Sequence, residues 1–164
     1  MRKILIIGHA RHGKDTVAEF LRDYYGYTFK SSSYAALEYV MYPILKEKYG
    51  YLSMEECYED RVNHRAEWKQ MITDYNTPDK AKLCKEILAD NSIYVGMRCE
   101  EELRACAPLF DMVVWVDGSK RKPPESKESM TIALDDGMYI LDNNGTEEQL
   151  LFEVDKLVQV INSL

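Results

Sequence analysis

The stretch Gly8-His9-Ala10-Arg11-His12-Gly13-Lys14-Asp15-Thr16 stands between a strand signal and a helix signal. Before it, residues 3–8 (KILIIG) form a continuous aliphatic run, which predicts a strand buried on both faces of a parallel sheet. After it, Val17, Phe20, Leu21 and Tyr24 recur at helical spacing, and Gly26 stops a helix predicted over 14–25. A G-x-x-x-x-G-K spacing in that context turns backbone N–H groups toward phosphate oxygens, and the helix N-terminus adds partial positive charge. The main chain of Ala10, Arg11, His12 and Gly13 would form the cradle, with Lys14 reaching the β- and γ-phosphates. The magnesium-ligating Ser or Thr that usually follows the lysine is Asp15 here, with Thr16 one place later. A carboxylate so close to a triphosphate is repelled unless Mg2+ intervenes or it takes a proton. Asp15 and Thr16 are therefore the metal candidates, and Asp15 is also an acid/base candidate. A plain first-turn Asp complementing the helix dipole is the alternative.

Working outward, 164 residues suit a single domain, with hydrophobic residues at 46% and charged residues at 30%. That balance excludes a wholly disordered chain, and no apolar run approaches the roughly 20 residues that cross a bilayer. The basic start and short apolar run faintly imitate a secretory signal, but residues 8–16 are polar where a cleavage site should be. The net charge of −7 disfavours a stable nucleic-acid complex, which needs a basic stripe. Cys57, Cys84, Cys99 and Cys106 form no CxxC pair, so a zinc ribbon is not expected, and a reduced cytoplasmic protein is.

Strand signals at 27–30, 93–97, 112–116 and 139–141 alternate with helical stretches. The expectation is an α/β, three-layer fold with a parallel sheet flanked by helices. A helix is predicted over about 34–49 after the Ser31–Ser33 turn, with Pro43 a kink. Residues 53–90 read as helical throughout, with a Ser53/Glu56 capping box and Thr77-Pro78 as a helix start. Thr146 opens a closing amphipathic helix. The helical region at about 34–90 is too large for a simple crossover and is the candidate acceptor-binding region. Residues 118–130 read as a lid-like loop. Ligands of such sheets sit at the carboxyl ends of the strands, so Gly8, Ser31, Arg98 and Asp117 share one rim.

Cations on that rim suit a transferring phosphoryl group. Arg98 ends the third strand and is the candidate phosphate ligand there. Arg61, His64, Arg65 and Trp68 fall on one face of a predicted helix, giving phosphate-binding arginines and a ring that stacks on a base. A solvated basic face with Trp68 in the core is the alternative. Residues 120–127 carry four cations in eight positions, and Arg121 is the best candidate of a basic flap. Asp15, Asp117 and Asp142 all remain open as a general base.

Gly8–Thr16 in its GKDT form, the segment 31–35, the Val95-Gly96-Met97-Arg98 strand end with Glu101, and the run 141–146 (LDNNGT) resemble bacteriophage-type deoxynucleoside monophosphate kinases. The resemblance implies a P-loop kinase domain over 1–164, Mg-ATP as donor and a deoxynucleoside monophosphate as acceptor. It places Arg98 near the acceptor and the Asn143–Thr146 turn, with Asn144 and Gly145, near the donor base; Ser33, Tyr34, Arg61, Arg65 and Trp68 complete the candidate acceptor set. Lys14, Asp15, Arg98 and Arg121 would be the catalytic set. Partners would be small-molecule nucleotides, with a homodimer allowed and no membrane. Where relatives often carry Asp two residues before the strand-end arginine, this chain has Gly96. A kinase of a non-nucleotide metabolite (of dephospho-CoA or phosphomevalonate type) and a non-catalytic nucleotide-binding module stay as alternatives.

Overall fold

A computed structural model describes residues 1–164. Five strands form one sheet in the order β2-β3-β1-β4-β5: β1 (Ile4–Ile7), β2 (Phe29–Ser31), β3 (Ile93–Val95), β4 (Met112–Asp117) and β5 (Tyr139–Asp142). All four pairings are parallel, and β1 lies at the centre, with Ile6 opposite both Val95 and Val114. Every residue of β1 is buried, as its unbroken aliphatic run requires.

Successive side chains along each strand enter different cores. Ile4, Ile6, Ile93, Val95, Val114 and Val116 face a cluster closed by α1 (Lys14–Tyr25) and α8 (Glu147–Ser163). Leu5, Ile7, Tyr94 and Trp115 face a second cluster of 21 buried residues built by the helical insertion. The three-layer α/β architecture expected from the sequence is present. The insertion comprises α2 (Ser32–Ala36), α3 (Tyr42–Tyr49), α4 (Met54–Asp60), α5 (Arg65–Tyr75) and α6 (Lys82–Asp90); α7 (Glu100–Cys106) follows β3.

Several local expectations change. β2 begins at Phe29 and ends at Ser31, whose hydroxyl caps α2 by accepting from the Tyr34 N–H at 3.3 Å. The helix expected over 34–49 is interrupted by a π-helical stretch, Leu37–Met41. Pro43 has no N–H to donate, which loosens the bonding ladder just before it. Ser53 does cap α4, but Glu56 reaches back to the Leu52 N–H at 2.7 Å, one residue earlier than a capping box requires. Thr77-Pro78 starts no helix: α6 begins at Lys82, and the Asn76 side chain accepts the Leu83 N–H at 3.1 Å. Helix α5 starts only at Arg65, because Arg61–Asn63 form a 3-10 turn and His64 leaves helical dihedrals. Arg61 and Trp68 therefore do not share one helical face.

Helix α8 carries a complete capping box. Thr146 accepts from the Gln149 N–H at 3.2 Å, and Gln149 accepts from the Thr146 N–H at 2.8 Å. We expect Thr146→Ala to cost about 1 kcal/mol, a fall of about 3 °C in Tm by calorimetry; an unchanged Tm refutes the cap's contribution.

Candidate active site

The loop between β1 and α1 is held open by geometry that only glycine meets at two points. Gly8 has φ +149°, and a Cβ there would lie 2.6 Å from the Val116 carbonyl oxygen. Gly13 has φ +98°, and a Cβ would lie 2.2 Å from the Asn143 side-chain nitrogen. Between them Arg11 adopts φ +63°, an unusual state for a residue with a side chain. The surrounding chain over-determines that turn. Asn143 donates from its amide to the His12 carbonyl at 2.9 Å, and Arg121 donates to the Asn143 carbonyl at 2.6 Å.

His12 is almost fully buried and works as a clamp. Its Nδ1 accepts the Gly118 N–H at 3.1 Å, which leaves Nε2 to donate to the Lys122 carbonyl at 3.0 Å. His9 Nδ1 accepts the Glu125 N–H at 3.0 Å, and its ring lies edge-on to Trp115. Both imidazoles thus bind the 118–130 segment as a strap across the loop. The far end of the strap is fixed too, since the Thr131 N–H donates to the Arg98 carbonyl at 3.0 Å.

A cavity of about 630 Å³ opens from the loop toward the start of α8. Arg11, Gly13, Lys14, Asp15, Thr16, Arg121, Asn143 and Gly145 line it, with Glu147 and Leu150. Ala10 and His12 lie beside it in the loop. Asn144 does not reach it: its side chain bonds Asp142 at 2.7 Å, the Asp117 carbonyl at 3.2 Å and the Lys120 N–H at 2.9 Å. Of the turn 143–146 that the resemblance places near the donor base, Asn143 and Gly145 line the cavity.

The donor set fits a polyphosphate. Arg11, Lys14 and Arg121 line one polar cavity at the N-terminus of α1, beside a glycine where a Cβ would meet Asn143. Asp15 and Thr16 are placed to serve a Mg2+ that also takes phosphate oxygens, the usual way this ion is held. No separate cluster of three metal-ligating side chains exists.

The charge of Arg98 acts on Lys14, and that of Arg65 on Arg98. Burial, then the charge of Arg98, brings the Lys14 ammonium down to about 8. Burial, then the charge of Arg65, lowers the Arg98 guanidinium from its ordinary value. Burial also lowers His9, followed by the charges of His12, Lys14 and Arg98. Within this group Arg98 pairs with the Glu125 carboxylate, and Lys14 donates to the His9 carbonyl at 3.0 Å.

The insertion supplies a second group. Ser33 Oγ lies 3.2 Å from the Tyr58 hydroxyl, and the Tyr34 ring meets the Tyr58 ring edge-on at 5.3 Å. Arg61 stacks 3.7 Å above the centre of Tyr58 and donates to its carbonyl at 2.7 Å. Trp68 is only 5% exposed and packs against Tyr58. It is a core anchor, and Tyr34 and Tyr58 are the half-buried rings. His64 turns away to Asp60 at 3.0 Å. Sequence reasoning missed Tyr58 and Glu125; for Glu125 the one signal was a lone acid among the four cations of 120–127.

No protein-family model and no curated protein matches the sequence. Solved structures do resemble the fold. TT1252 from Thermus thermophilus aligns with a TM-score of 0.57 and 17% identity over 97% of this chain and 96% of that one. A sugar kinase from Janibacter sp. HTCC2649 aligns at 0.51 and 16%, over 97% and 95%. A gluconokinase from Sinorhizobium meliloti 1021 aligns at 0.50 and 16%, over 98% and 95%. The chain shares the α/β architecture of these three structures. At these identities the likeness is one of architecture, and no helix is long and apolar enough to cross a membrane.

The lowered Lys14 has a measurable consequence. A bound triphosphate favours the charged ammonium and raises its pKa, so binding takes up a proton between about pH 8 and the ordinary 10.5. Calorimetry at about pH 9 in buffers of different ionisation enthalpy should show that uptake, with ATP affinity falling as pH rises through the window. Binding heats independent of the buffer would refute it.

Proposed function

We propose that this chain is an ATP-dependent phosphotransferase acting on deoxynucleoside monophosphates, giving the diphosphate and ADP. The observation that carries the phosphotransfer reading is the Gly8–Thr16 loop. It follows the central strand, opens α1 and borders a polar cavity that Lys14 and Arg121 enter. The alignment with a sugar kinase and a gluconokinase supports a kinase over a passive binding module.

The nucleotide reading of the acceptor rests on the sequence resemblance and on two features of the site. Arg98, paired with Glu125, and Arg65 beside it place positive charge where a phosphate of the acceptor would meet the transferring group. Tyr34 and Tyr58, backed by Arg61, offer aromatic surface for a base at the mouth of the insertion. An uncharged sugar calls for neither.

Catalysis by these residues is positioning and electrostatics. Lys14 would bind the β- and γ-phosphates, and Arg121 would offset charge beside the cavity. Arg98 and Arg65 would orient the acceptor phosphate for in-line attack, and the strap would exclude water. Mg2+ held at Asp15 and Thr16 would neutralise charge shared by the β- and γ-oxygens. A phosphate acceptor is already nucleophilic near neutral pH, so none of Asp15, Asp117 and Asp142 need act as a base.

A coupled assay for ADP with each of the four deoxynucleoside monophosphates tests the reading. At least one should give acceptor-dependent ADP, whereas gluconate and other uncharged or carboxylate polyols should not. No acceptor-dependent ADP from any nucleotide sinks it. Lys14→Ala should lower kcat by about a hundredfold or more with the circular dichroism spectrum unchanged; retention of most activity removes the loop from the mechanism.

A further inference from the structure

Glu125 stands apart from the exposed strap that carries it, with its side chain only 13% exposed. One carboxylate oxygen accepts the Ala10 N–H at 3.0 Å, and the other pairs with the Arg98 guanidinium. Its own backbone N–H is bound by His9, so both backbone and side chain are seated on the phosphate loop. A loop amide and a strand-end arginine meeting at one anion make an oxyanion socket, and a protein carboxylate is its occupant.

The surrounding charge explains why that occupant is stable. Lys14, Arg98, Arg65 and His9 crowd the same rim, and Glu125 is the carboxylate that pairs with Arg98. The strap is fixed on either side of this contact. His12 clamps Gly118 and Lys122 before it, and Thr131 is tied to Arg98 and Glu100 after it. Only the stretch between those anchors must shift for the carboxylate to leave.

We infer that Glu125 is an internal stand-in for the anionic group of the acceptor: it fills the Ala10–Arg98 socket in the free protein, and an incoming phosphate displaces it. The inference rests on the phosphotransfer reading for the identity of the acceptor, but anion competition at the socket is measurable without turnover. It also separates acceptor classes. A dianionic phosphate outcompetes one carboxylate for the amide and guanidinium, and closes the site as the freed strap settles over it. An uncharged hydroxyl offers no such exchange; with that acceptor Glu125 would stay and take the hydroxyl proton.

Glu125→Gln tests this directly, because the glutamine oxygen still accepts from Ala10 while the ion pair to Arg98 is lost. Titrating inorganic phosphate by calorimetry, we expect the variant to bind about tenfold more tightly than the parent. The added substitution Arg98→Ala should abolish the gain. With the best nucleoside monophosphate, KM should fall while kcat stays within about twofold. Unchanged or weaker phosphate binding in a variant of parental Tm overturns the inference, and so does a collapse of kcat with KM unchanged, which marks a general base. If no nucleotide is turned over, the function fails while the phosphate titration still decides the role of Glu125.

Discussion

The hydrogen bond from the Asn143 amide to the His12 carbonyl holds the site together. It joins the loop after β1 to the turn after β5, across the end of β4. Gly13 must lack a side chain because Asn143 comes so close, and Arg11 is kept in a left-handed turn by the same framework. Arg121 adds to it by bonding the Asn143 carbonyl and, at 3.4 Å, the His12 carbonyl. Amides that face an anion in a rigid turn need little rearrangement when charge arrives, which is the electrostatic advantage of a pre-built cradle.

The net charge of −7 does not conflict with an anion-binding cleft. The carboxyl rim carries Lys14, Arg65, Arg98 and Arg121, whereas acids such as Glu100, Glu101 and Glu148 lie on exposed helix surface. Local cations and net charge act over different distances, so the one does not set the sign of the other. Screening over roughly 8–10 Å at physiological salt lets the two fields act separately.

What was legible in the sequence is what local pattern controls. The 3–8 run, the loop spacing and the 14–25 helix with its Gly26 stop all follow from neighbours within a few residues, and each matches its observed element. The strand–helix alternation gave the architecture for the same reason. Pro43, read as a kink, follows the π-helical stretch that its missing N–H favours, whereas the break at His64 escaped because no periodicity marks it. Trp68 read equally well as a stacking ring or a core anchor, since helical spacing gives a face but not what covers it. The histidine clamps and the Glu125 contact join residues more than a hundred positions apart, where no sequence spacing carries a signal.

The strap returns to the body of the protein through Met130 and Ile132, which are buried in the same core as Leu37, Trp68 and Leu83. Close-packed interiors do not yield at one point only. The helical insertion and the trailing end of the strap therefore share a mechanical boundary. A shift of α2 or α5 against the sheet must be matched by resettling of Met130 and Ile132.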